Sequence, residues 1–273
     1  MEWKNLLRGF AMGTTDLIPG VSGGTLAVVL GIYYQLLESI SGLFGKDWKR
    51  HWGFLIPLGI GMVSAIVCLS RVIEYLLEHH YEPTQFFFTG LILGVLPMLV
   101  RQADVRRNFS VIHVIVLLIS LVLMASMAFL SGDEDAGPLT ALTIGSTIGL
   151  FFAGWLASMA MLLPGVSGSF VLLLVGVYPT AINALSTFNF PIIITIGLGV
   201  LAGFFFSSRA IRYLLASYPH MTYAVMIGLI AGSVFVIFPG IVSGLGTIII
   251  CLVALLAGLS IAMYFGSAKR TGS

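Results

Sequence analysis

The chain has 273 residues, of which 58% are hydrophobic and only 9% charged, with a net charge of +2 and a mean hydropathy of +1.06. A soluble domain is about 45–50% apolar and about 25% charged, so a water-soluble monomer is excluded. The basic residues form no stripe or run that would hold nucleic acid, and Cys68 and Cys251 lie in apolar segments without metal-ligand spacing. A membrane span takes about 20 apolar residues. Eight apolar blocks run over 9–44, 52–77, 83–100, 111–130, 138–185, 190–207, 221–238 and 245–265. The predicted class is therefore an all-α integral membrane protein.

The first block follows Lys4 and Arg8 and has no clear small-residue cleavage site, so no cleavable signal peptide is expected. It is too long for one helix and is broken at Leu17-Ile18-Pro19-Gly20-Val21-Ser22-Gly23-Gly24-Thr25. Proline removes an amide donor and glycine permits turns that other residues resist. Such a break at membrane depth needs protein or a wet cavity around it. Ser22 is a good cap for a helix starting near Gly24, and free amides at a helix start attract an anion, above all a phosphate. Asp16, just before the break, is a candidate for carrying a coupling proton or cation or for neutralising Arg71; the plainer readings are a helix cap or a water-exposed residue at the hairpin mouth.

The second block carries Arg71 inside an apolar span, where a charge is costly and marks a functional candidate. Its planar fork suits phosphate, and Glu74, three residues on, could balance it within the helix. In the third block Gly90-Leu91-Ile92-x-Gly94 is predicted to serve close helix packing. Glu38 and His113 are weaker candidates, near the ends of their segments.

The fifth block is again too long and breaks at Leu162-Leu163-Pro164-Gly165-Val166-Ser167-Gly168-Ser169-Phe170, nearly a copy of the first break. Gly31 and Tyr33 recur as Gly176 and Tyr178 at the same offset, with Met161 standing where Asp16 would. Ser70-Arg71-x-Ile73-x-Tyr75-Leu76-Leu77 then recurs as Ser208-Arg209-x-Ile211-x-Tyr213-Leu214-Leu215, and Gly90-Leu91-Ile92-x-Gly94 as Gly228-Leu229-Ile230-x-Gly232. Matches in the same order indicate an internal repeat, with halves predicted at 1–135 and 136–273. Ser167 is predicted to cap a helix starting near Ser169, and Arg209 to sit at the inner end of its span.

Charge sets the predicted topology, since Lys and Arg collect on the cytoplasmic side of short loops. Let each broken block enter and leave by one face, and every other block cross once. All 13 Lys and Arg except Arg71 are then cytoplasmic, with both termini, while Glu78, Glu82, Asp133, Glu134 and Asp135 lie outside. Each half thus holds a broken or re-entrant hairpin and three transmembrane helices. That odd number of crossings makes the halves inverted repeats, an architecture many secondary transporters use. No enzyme signature is present: there is no HExxH, GxSxG or Walker sequence. Neither a cofactor nor a metal is expected.

Gly13-x-x-Asp16-x-x-Pro19-Gly20-Val21-Ser22-Gly23-Gly24-Thr25 with Gly31-Ile32-Tyr33 resembles the first motif of the bacterial polyprenyl-phosphate transporter family. Pro164-Gly165-Val166-Ser167-Gly168-Ser169-Phe170 with Gly176-x-Tyr178 resembles its second motif. The resemblance covers essentially the whole chain; Thr14-Thr15 departs from the small residues expected there. It implies a protein of the bacterial cytoplasmic membrane that returns undecaprenyl phosphate, the lipid carrier of cell-wall synthesis, from the outer to the inner leaflet. Its partners would be that lipid and the surrounding membrane lipids, and a homo-oligomer is compatible with this. The residues expected to meet the phosphate are both motifs, 19–25 and 164–169, with Arg71 and Arg209. Asp16 and Glu74 are expected to couple or balance charge. The residues alone allow equally a transporter or channel for a small soluble anion.

Overall fold

The computed structural model describes residues 3–17, 22–43, 45–129, 143–240 and 242–268, with side chains to 264. Pro19, Gly20 and Val21, the acidic run Asp133, Glu134 and Asp135, the junction near 135, and Lys269 and Arg270 lie outside the described residues. The described residues are helical without strands. In order they form α1 (Lys4–Asp16), α2 (Gly23–Val29), α3 (Tyr33–Ser41), α4 (Trp48–His79), α5 (Tyr81–Gln102), the short α6 (Val105–Asn108) and α7 (Val111–Ser126). Then follow α8 (Ile144–Leu162), α9 (Gly168–Leu174), α10 (Tyr178–Ser186), α11 (Phe190–Ser217), α12 (Pro219–Ile237) and α13 (Leu245–Ala268).

α1 and α2 flank the first Pro-Gly sequence, and α8 ends and α9 starts around the second. The helices after them start at Gly23 and Gly168, one residue earlier than expected. Each then ends at a glycine, Gly31 with φ 63° and Gly176 with φ 72°. That left-handed turn strains any residue with a Cβ, which explains why glycine recurs there. Among the described residues seven helices are long and apolar enough to cross a membrane: α4, α5, α7 with the turn after it, α8, α11, α12 and α13. The protein is thus built as a multi-pass membrane protein. One of the seven, α8, is an arm of the second broken block, which is long enough in sequence to hold a span. At 19 residues it reaches about 28 Å, whereas the 13 residues of α1 reach about 20 Å. α9 and α10 bend by 111° at their break.

Packing pairs the long helices. α1 lies on α4 and α8 on α11, while α5 lies on α13 and α7 on α12. Small residues let these backbones approach. A Cβ on Gly9 or Gly61 would strike the facing backbone of Leu58 or Leu6, and one on Gly154 or Gly199 that of Ile196 or Phe151. Gly94 packs likewise, its added Cβ falling 2.8 Å from the Leu259 carbonyl oxygen of α13, so the glycines of α5 serve the packing expected of them. The core gathers around α2, α3, α5 and α12, with Ala27, Leu37, Leu99 and Ile230 fully buried. The faces of α7 and α13 are apolar yet uncovered, with Ile119, Val122, Ile250 and Val253 all exposed. That inside-out distribution suits lipid as the outer solvent.

The segments after the two breaks are not packed alike. α3 rests on α4 and also on α11, whereas α10 rests mainly on α9 and α11. Tyr33 is accordingly 6% exposed and its counterpart Tyr178 37%.

Candidate functional site

The start of α2 is held by two side-chain oxygens from its own half. Ser22 is extended and its hydroxyl accepts from the Gly24 N–H at 3.1 Å. The Asp16 carboxylate, at the end of α1, accepts from the Gly23 N–H at 2.7 Å. A helix start has four amides without internal partners, so Asp16 takes up one that an incoming anion would use. Of the sequence readings of Asp16, capping is the one seen.

The start of α9 is different. Ser167 has the extended backbone of a cap, but its side chain accepts no capping bond. Its hydroxyl instead lies 2.9 Å from that of Ser169. This corrects the expectation that Ser167 caps as Ser22 does: Ser169, where the first motif has Gly24, supplies a competing hydroxyl. Met161 replaces Asp16 and packs against Gly168, so an added Cβ there would fall 3.0 Å from the Met161 sulfur. An apolar thioether thus occupies the place of the carboxylate.

The motifs touch. The Thr25 hydroxyl accepts from the Gly165 N–H at 2.8 Å, and the Tyr33 hydroxyl donates to the Leu162 carbonyl at 2.7 Å. Thr25, Tyr33, Leu162 and Gly165 are all buried. Leu162 is the last residue of α8, where carbonyls lack helical partners; Tyr33 satisfies one of them. Pro164 and Val166 are buried in the same turn. The sequence matched Tyr33 to Tyr178 but gave neither a role. Only a long-range contact reveals one.

Beside this junction lies a cavity of about 450 Å³. It is lined by Asp16, Gly23 and Gly24, by Leu55, Leu58, Gly59 and Met62 of α4, and by Leu201, Phe204 and Phe205 of α11. Its walls are apolar apart from Asp16 and the glycine backbone.

The arginines divide. Arg209 stacks its guanidinium carbon 3.9 Å from the centre of the Phe205 ring, a cation–π geometry that puts a positive charge one turn from the cavity wall. Arg71 is exposed on α4. It lies about 13 Å along the helix axis beyond Met62, the farthest α4 residue lining the cavity. Glu74 is exposed on the same helix. In this conformation neither Arg71 nor Glu74 is brought to the motifs. No group of three or more His, Cys, Asp or Glu among the described residues could hold a metal.

Residues 12–245 match the family described as undecaprenyl phosphate translocase-like. A curated protein of Staphylococcus aureus named polyprenyl-phosphate transporter is 43% identical over 272 residues, covering 97% of this chain and 96% of that one. A Vibrio cholerae protein of the same name is 36% identical over 246 residues, covering 85% of this chain and 76% of that one. No solved structure matches the chain. A match that takes in both motifs, the helices between them and the cavity walls makes the chain a member of the undecaprenyl phosphate translocase-like family.

Proposed function

We propose that this chain carries a polyprenyl phosphate, undecaprenyl phosphate in particular, from the outer to the inner leaflet of the bacterial cytoplasmic membrane by alternating access. The observation that carries this reading is the direct junction of the two motifs through the Thr25–Gly165 and Tyr33–Leu162 hydrogen bonds. Two broken helices meeting at one place form the type of site that transporters present to either face. The names of the relatives supply the cargo.

In this reading residues 1–135 and 136–273 are inverted repeats, each with a re-entrant hairpin. The charge pattern supports it, as do the matched helix pairs: α1–α4 answers α8–α11, and α5–α13 answers α12–α7. The phosphate is held where residues 19–25 and 164–169 converge. Arg209 receives it on one side and Arg71, its repeat mate, on the other as the hairpins exchange places. Asp16 gives up the Gly23 amide when the phosphate arrives, which ties its charge to the transport cycle. A channel for a small hydrated anion fits less well, because the cavity beside the motifs is walled almost wholly by hydrocarbon.

The decisive test is leaflet-resolved transport in liposomes containing only this protein. Undecaprenyl phosphate should change leaflet in proportion to protein added. Inorganic phosphate uptake without lipid movement would replace this reading by the soluble-anion one.

A further inference from the structure

α4 and α11 carry matching glycine pairs, Gly59-Ile60-Gly61 and Gly197-Leu198-Gly199. One member of each pair has a packing reason, since a Cβ on Gly61 or Gly199 would strike a neighbouring helix backbone. The other has none: a Cβ on Gly59 or Gly197 would meet nothing within 4 Å. Glycine inside a helix costs stability relative to alanine, so open glycines at matching places need another explanation.

At Gly59 the surroundings supply one. Gly59 lines the cavity that reaches Asp16, Gly23 and Gly24. It also lines a shallow apolar groove of about 660 Å³ along the outer face of α4, where Ile60, Val63 and Val67 are exposed. Leu55 and Gly59 border both spaces. The inner cavity and the lipid-facing groove therefore adjoin at a residue with no side chain. The cavity, about 450 Å³, is of the size that encloses a small ligand. A long polyprenyl chain attached to a phosphate at the motifs must leave it sideways.

We propose that Gly59 forms the lateral passage through which the isoprenoid tail runs from the cavity into the bilayer. The first units of the tail lie against Phe204 and Phe205, and Leu55 borders the passage. This rests on the transport reading above and adds to it the route of the tail and the residue that keeps it open.

The test uses the purified full chain and two probes, undecaprenyl phosphate and the single-isoprene dimethylallyl phosphate. Gly59→Phe fills the passage from a position whose Cβ meets nothing within 4 Å. It should weaken undecaprenyl phosphate binding about tenfold or more and leave dimethylallyl phosphate binding unchanged. Leu55→Trp, from the other shared residue, should act in the same direction. Gly53→Phe is the control: its Cβ also meets nothing within 4 Å, it lies on the same helix, and it borders neither space. It should leave both affinities unchanged. Wild-type affinity for the long lipid in both Gly59→Phe and Leu55→Trp overturns the proposal, as does equal loss of both probes. A changed oligomeric state with undiminished lipid binding also overturns it and marks the groove as a contact between copies. A wild-type protein that binds neither probe removes the transport reading itself.

Discussion

Asp16 and Met161 hold the same place in the two motifs and act in opposite ways, one accepting a hydrogen bond and the other filling space. Asparagine keeps an acceptor for the buried Gly23 N–H, whereas alanine leaves that amide unpaired, at about 1–3 kcal/mol. Asp16→Asn should therefore keep thermal stability in detergent and still slow transport, because the charge is gone; Asp16→Ala should lower both. Full transport by Asp16→Asn would leave Asp16 a cap and nothing more. Thr25 makes a different case. Thr25→Val leaves the buried Gly165 N–H unpaired, at about 1–3 kcal/mol, and Thr25→Ser keeps the acceptor. A urea or thermal series should rank them wild type, serine, valine, and equal stability of all three would mean the bond is dispensable. Ser22 as a cap was legible in the sequence because capping is a local property of serine before a helix. The Thr25 and Tyr33 bonds were not, because their partners lie in the other half of the chain.

Helix breaks and helix starts follow from proline, glycine and serine in sequence, so the starts of α2 and α9 were readable to within a residue. The length of the arms before them was less so. α8 is long enough to cross and α1 is not, though the same motif ends each, because charged Lys4 and Arg8 shorten the apolar run on one side only. The orientation of the hairpins rests on charge, and labelling can test it. In intact cells a single cysteine replacing Lys46, between α3 and α4, should react with a membrane-impermeant reagent only after the cytoplasmic face is opened. So should one replacing Arg106, between α5 and α7. Labelling of the Lys46 position from outside would make the first hairpin a full crossing and end the inverted-repeat reading.

Taken whole, the molecule has matched parts in unmatched settings. α2 and α3 are sunk among α4, α5, α8 and α11, whereas α9 and α10 stand more open. In an inverted repeat the state facing the other side arises when the halves trade these settings. Under the proposed alternating access, the Tyr33 bond to Leu162 would give way to its repeat image, Tyr178 to the carbonyl of Leu17. Each tyrosine hydroxyl would so weight one of the proposed states. Losing one neutral hydrogen bond is worth about 0.5–1.5 kcal/mol, or a shift of roughly two- to tenfold between states. Ala27 is fully buried here, whereas its counterpart Leu172 is only half-buried, so a cysteine at 27 reports the opposite state. Tyr33→Phe should speed labelling of that cysteine by this factor, and Tyr178→Phe should slow it. Two tyrosine variants that move the labelling in the same direction would mean that the hairpins do not exchange, and the asymmetry would then be a fixed property of the fold.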